Sequence, residues 1–117
     1  MPKTYKSENR IQQEAVIAFH NKYPNLRGCL FHVPNGGMSA QHGKLLKQIG
    51  VVAGVSDLIF LYDGTATLFE TKNKYGKQQP VQENWQRLME KQGFKYYVYR
   101  SKELFMEIIK NIIDENK

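Results

Sequence analysis

Cysteine is almost missing from this chain: Cys29 stands alone among 117 residues. No disulfide framework and no cysteine zinc site can form within one copy, so a reducing compartment is expected. This means the cytoplasm. Long apolar runs are also missing. None approaches the ~20 residues that span a bilayer. The start of the chain has charge but no apolar stretch, so no signal peptide is expected. Acidic residues are the minority, 11 Asp+Glu against 17 Lys+Arg, a formal +6. That balance suits a polyanionic partner, although small basic proteins are common for other reasons. Repeats, low-complexity tracts and linkers are absent, and the length suits one domain over residues 1–117.

Proline is scarce, and three of the four prolines punctuate elements. Ser7 can cap a first helix running to about Lys22, with Ile11, Ala15, Ala18 and Phe19 on one face, and Pro24 ends it. Residues 29–33 read as a short strand stopped by Pro34. Asn35, Gly36 and Gly37 form a loop of wide backbone freedom. Ser39 can cap a second helix to about Ile49, with Gly50 just past its end. Pro80 suits the first turn of a third helix whose apolar stripe is Val81, Trp85, Leu88 and Met89. Gly93 ends that helix, residues 94–99 form a strand, and Ser101 caps a last helix carrying Leu104, Phe105, Ile108, Ile109 and Ile112. The order is α-β-α-β-β-α-β-α, an α/β fold with a mixed four-stranded sheet and helices on both faces.

The centre of the chain carries the chemistry. Residues 57–62 are apolar and β-prone after Asp57, residues 65–72 form a second strand, and Asp63-Gly64 between them is a strong hairpin signal. With a two-residue turn, Tyr62 faces Thr65 and Leu61 faces Ala66, which sets Asp57 opposite Glu70. Opposed residues share a face, and Lys72, two residues on, shares it too. Two opposed carboxylates repel. A divalent cation between them turns repulsion into a site, and with the Lys72 ammonium beside it the group fits attack on a phosphodiester. A solvated surface cluster is the plainer reading. The apolar Ile59, Leu61 and Leu68 on the same face argue for burial instead.

Gly54-Val55-Ser56-Asp57, a twelve-residue gap and Glu70-Thr71-Lys72 resemble the PD-(D/E)xK nuclease signature, and the element order matches that superfamily's core. More narrowly, the chain resembles stand-alone VRR-NUC domains of phages and bacteria. The supporting features are Pro34-Asn35-Gly36-Gly37, the helix ending in Ile49-Gly50-Val51, and Gln82 opening the third helix. The resemblance covers residues 11–99. It departs at Ser56, where the superfamily name has proline. It implies a restriction-endonuclease-like three-layer α/β/α fold and an endonuclease acting on DNA, structure-selective for a Holliday junction or similar branch. Asp57, Glu70 and the Thr71 backbone carbonyl would hold Mg²⁺ or Mn²⁺. Lys72 would orient or help deprotonate water. Glu14, at the margin of the first helix's stripe, would join the metal shell. Gln82 would face the site, with Gln79 as the competing choice.

Lys74 and Lys77 follow the catalytic strand directly and could contact DNA backbone, as could Lys44 and Lys47 on the second helix; solvated lysines are the equal alternative. Asn35 and Gly36 could present N–H groups to a phosphate. His20, His32 and His42 have no metal-ligand spacing, and His32 reads as a core or pocket-edge residue. Tyr96, Tyr97 and Tyr99 read as packing residues. Two rivals stay open: a nicking or non-specific nuclease, and a basic DNA-binding module whose site is idle. Cutting both strands of a symmetric substrate needs two sites, so a homodimer is expected.

Overall fold

The computed structural model describes residues 5–34 and 40–115. Asn35, Gly36, Gly37 and Ser39 lie outside the described residues. The elements are α1 (Glu8–Lys22), β1 (Leu30–His32), α2 (Ala40–Gln48), β2 (Leu58–Tyr62), β3 (Thr65–Thr71), α3 (Pro80–Lys91), β4 (Lys95–Tyr99) and α4 (Lys102–Glu115). This is the expected order, with one addition, a 3-10 turn at Pro24–Leu26. The caps are also as read. The Ser7 side chain accepts from the Arg10 N–H, and the Ser101 hydroxyl accepts from the Leu104 N–H.

The sheet is mixed, in spatial order β1-β2-β3-β4. β1, β2 and β3 are antiparallel neighbours, and β4 lies parallel to β3 across the α3 crossover. Asp63 and Gly64 take φ of 51° and 78°. Both values are positive, as a type I′ turn requires, and that turn matches the twist of the strands it joins. The register follows, with Tyr62 opposite Thr65 and Leu58 opposite Phe69.

Alternation then divides the sheet. On one face, Leu58, Phe60, Phe69 and Tyr99 pack with Ile11, Ala15 and Phe19 of α1 and with Phe105 and Ile109 of α4. The rings interlock closely: Phe69 to Phe105 is 4.7 Å between centroids and Tyr99 to Phe105 is 4.9 Å. Each such ring, fully buried, stabilises the fold by about 1.5–3 kcal/mol. α3 covers the other face over β4, where Trp85 packs edge-on to Tyr96. Cover there is partial, which corrects two readings. Leu61 is 46% exposed rather than buried, and Val81 and Leu88 of the α3 stripe are also about half exposed. Only Leu68 of the three apolar residues on that face is fully enclosed. The cause is the element order: α3 returns the chain to β4 at the sheet edge, so it lies over that side rather than over β2. Among the described residues no helix is long and apolar enough to cross a membrane.

Candidate active site

Glu70 sits near the end of β3, on the face away from the aromatic core, and is 1% exposed. Asp57 immediately precedes β2, and the hairpin register carried one step further sets it opposite Glu70. Asp57 Oδ2 accepts from the Thr71 N–H at 2.8 Å. The two carboxyl groups lie within hydrogen-bonding reach of each other. Burial, and then the Asp57 charge beside it, push the Glu70 carboxyl up to about 8, against the opposing pull of Lys72. Without a cation, the Glu70 carboxyl therefore keeps a proton at neutral pH beside Asp57.

Lys72 follows β3 by one residue and is 5% exposed. Its Nζ lies 3.7 Å from Glu70 Oε2 and donates to Gln82 Oε1 at 3.0 Å. The Gln82 amide bridges the two charges. Its Nε2 donates to Glu70 Oε2 at 2.9 Å, and its Oε1 also accepts from the Gln79 N–H at 2.8 Å, closing the first turn of α3. The structure therefore brings Gln82 to the group and leaves Gln79 in a capping position. Tyr96, which the sequence reading assigned to packing, also reaches the group: its hydroxyl donates to Glu70 Oε1 at 3.4 Å. Burial and the neighbouring Glu70 raise the Tyr96 hydroxyl, so it stays protonated as a donor.

One glycine sets the approach of α3. Gly54 has φ of +85°, and a Cβ there would lie 2.4 Å from the Val81 carbonyl oxygen. The loop leading to Asp57 is thereby pressed against the first turn of α3, one residue before Gln82. Ser56, one residue before Asp57, is fully buried and donates to the Leu58 carbonyl at 3.2 Å.

Behind this group, on the α1 face, runs a second set of bonds. The Thr71 hydroxyl lies 2.6 Å from the Tyr99 hydroxyl and 3.2 Å from Gln12 Oε1. His32 Nδ1 donates to the Asp57 carbonyl at 2.8 Å and lies 3.1 Å from the Gln12 amide. These contacts fix the backbone at both acidic positions. Gln12 was missed by the sequence reading; its only signal is its place on the other margin of the Ile11-Ala15-Phe19 stripe. Glu14, the expected α1 ligand, goes elsewhere. Its oxygens pair with Lys6 at 2.7 Å and Arg10 at 2.9 Å, and those bonds hold its carboxyl below the usual range. Gln12 and Glu14 are two residues apart on a helix, about 200° around it, so they flank the stripe on opposite sides.

The other expected contacts are scattered. Lys74 Nζ stands 5.5 Å from the Tyr75 ring centroid just beyond the strand, Lys77 is exposed in the same loop, and Lys44 is exposed on α2.

Among the described residues no group of three or more His, Cys, Asp or Glu could hold a metal. The donors are therefore two carboxylates. The Thr71 N–H bonds to Asp57 Oδ2, and the Lys72 N–H bonds to Tyr99 of β4, so by alternation the Thr71 carbonyl is directed to the β2 side of the strand. Water and substrate oxygens would complete a hard-cation shell, which is how Mg²⁺ is usually bound. The Asp57–Glu70 pair fits that role, because a divalent cation relieves the repulsion that raises Glu70.

No protein-family model matches the sequence, and no curated protein matches it. A solved structure does. It is described as a VRR_NUC domain protein, with a TM-score of 0.76 and 19% identity, over 93% of this chain and 89% of that one. The two chains share one fold. That fold is the restriction-endonuclease-like α/β architecture expected from the element order. At this identity the likeness carries the architecture and leaves the chemistry to the residues above.

Proposed function

We propose that this chain is a metal-dependent endonuclease that hydrolyses phosphodiester bonds in DNA. One observation carries the reading: Asp57 and Glu70 stand opposed at one end of a hairpin, and the buried Lys72 ammonium is fixed beside them by Gln82. A core gains nothing from enclosing Glu70 and Lys72 with a half-buried Asp57 beside them, because desolvating charge costs several kcal/mol per ion. Their enclosure at the sheet's open end is an arrangement for binding and chemistry.

Asp57, Glu70 and the Thr71 carbonyl hold Mg²⁺ or Mn²⁺ in this reading. Bound there, the ion would polarise the phosphate and lower the pKa of water. The chain's own groups do the rest. Lys72 is held by Gln82 so that its remaining N–H donors meet the attacking water or the charge growing on phosphate. Gln82 keeps that ammonium from collapsing onto Glu70. The His32 bond holds the Asp57 backbone still. Water adds to phosphorus, the P–O bond to the leaving sugar oxygen breaks, and a proton passes to that oxygen.

The preference for branched DNA, with the Holliday junction first, rests on the family resemblance, and so does a homodimer with one site per cut strand. Cys29 is a free thiol, which suits a reducing cytoplasm. The test is a panel of junction, flap, nicked, linear and single-stranded DNA, each with Mg²⁺, Mn²⁺ and chelator. Metal-dependent cutting that is fastest on junctions is the expected result. Binding without turnover under every condition would leave a DNA-binding module and end the enzymatic reading.

A further inference from the structure

A concave surface borders the loop that follows Lys72. It is a cleft of about 380 Å³ between the N-terminal segment, the loop after Lys72 and the start of α4. Four of its lining side chains are cations: Lys6, Lys74, Arg100 and Lys102. Two are carboxylates, Glu14 and Glu103. Glu14 is already matched by Lys6 and by Arg10. That leaves Lys74, Arg100 and Lys102 against Glu103 alone.

Arg100 connects the cleft to the site. Its Nη1 donates to the Asn73 carbonyl at 2.6 Å and the Gly76 carbonyl at 2.8 Å, pinning the turn that begins one residue after Lys72. Both bonds leave from one nitrogen. The guanidinium has five donors, so Nη2 and Nε lie outside these bonds, in the planar fork that matches phosphate oxygens. Beside it, Tyr5 and Tyr75 meet edge to face at 5.1 Å, with Tyr75 66% exposed. This pair holds the N-terminal segment against the same loop. The cleft and the catalytic strand thus share one short connection, 73–76.

We propose that this cleft holds the phosphate backbone of the DNA strand as it leaves the scissile bond, with Lys74, Arg100 and Lys102 as phosphate contacts. This rests on the nuclease reading above. Continuity with the loop after Lys72 favours the substrate itself over an acidic protein partner.

The test uses the full chain in an Asp57→Asn background, so that binding is read without cutting. A labelled four-way DNA junction is titrated at several salt concentrations against Lys74→Glu/Lys102→Glu. The control is Lys22→Glu/Lys110→Glu, an equal charge change at exposed positions of α1 and α4 outside the cleft. The cleft variant should lose about tenfold or more in affinity, and its salt slope should fall by roughly two units, about 0.9 per phosphate contact. Lys22→Glu/Lys110→Glu should stay within about twofold. Lys74→Gln/Lys102→Gln, which removes charge without reversing it, should lose about half as much on a logarithmic scale. Equal losses in cleft and control variants would show a general charge effect and overturn the proposal. Unchanged DNA affinity in the cleft variant would overturn it too, with an acidic protein as the occupant to pursue. Cleavage by the parent chain is scored separately. If the parent cuts DNA while the cleft variant binds normally, the cleft falls and the nuclease reading stands. A parent that neither binds nor cuts removes both.

Discussion

Phe69 and Glu70 are neighbours in β3, both essentially inaccessible to solvent, and they live in opposite worlds. Phe69 faces α1 and α4 and touches the rings of Tyr97, Tyr99 and Phe105. Glu70 faces α3 and touches Asp57, Lys72, Gln82 and Tyr96. One residue of pleat separates a face that stabilises the molecule from a face that stores unfavourable charge. The lesson is that burial alone does not identify a core. The α1/α4 face is buried because its side chains prefer each other to water. The α3 face is buried at one end only, and there it encloses groups that would be better hydrated. The first face should respond to mutation in stability and the second in activity.

The largest expected effect lies on the charged face. Asp57→Asn keeps the side-chain volume and relieves repulsion with Glu70, so the melting temperature should hold or rise. Cleavage with Mg²⁺ should fall on the order of 10³-fold, about 4 kcal/mol in the barrier. Single-turnover rates beside a thermal melt decide this, and a wild-type rate in the variant would remove the site assignment. The mirror experiment is Phe105→Ala on the aromatic face. It empties a ring site shared by Phe69 and Tyr99, and denaturant unfolding should show a loss of about 3–4 kcal/mol. The protein that remains folded should cut at a near-normal rate. If activity per folded molecule collapses instead, the two faces are not separable as described.

Lys72→Ala should come next, lowering single-turnover cleavage by about 10²-fold while DNA affinity changes little. Affinity sums over many phosphate contacts, whereas this ammonium acts at one. An ordinary phosphate contact would behave differently: binding and its salt slope would weaken together, and cutting at saturation would survive. Gly54→Ala tests the join between the loop and α3. The new methyl meets the Val81 carbonyl in a left-handed backbone, so about 2 kcal/mol of stability should be lost. Because α3 must shift, Gln82 should release Lys72, and cleavage should fall more than stability explains.

The smallest effect is a pH slope. Glu70 titrates near 8 in the folded chain against 4.5 as its ordinary value. The folded state therefore binds the extra proton. Its contribution to stability is full below about pH 4.5 and is lost as the pH rises toward 8. Without divalent cation, the melting temperature should fall over that window, and Glu70→Gln should flatten the fall. Mg²⁺ must displace the same proton, so it should raise the melting temperature more at pH 8 than at pH 5.5. A stabilisation by Mg²⁺ independent of pH would place the ion away from Glu70.

The sequence by itself determined the elements, their order and the hairpin register. These are local properties. Ser7 and Ser101 cap their own helices, and Asp63-Gly64 can adopt the positive φ values that a two-residue turn demands. Once the turn is fixed, a period of two sets Asp57, Glu70 and Lys72 on one face without knowledge of anything else. Tertiary structure decided what surrounds them. A helix stripe has two margins, and nothing in the α1 sequence tells which margin meets the sheet; packing turned Gln12 toward Thr71 and sent Glu14 to Lys6 and Arg10. The choice of Gln82 over Gln79 depended on where the first turn of α3 docks, which Gly54 sets from twenty-eight residues upstream of Gln82. The half-exposure of Leu61 follows from which strands α3 covers. Arg100 reaches back across the fold to hold the turn after Lys72. Apart from the local pairing of Glu14 with Lys6 and Arg10, each of these is a contact between segments distant in the chain, and its geometry comes from how helices settle on a sheet rather than from any residue's own preference.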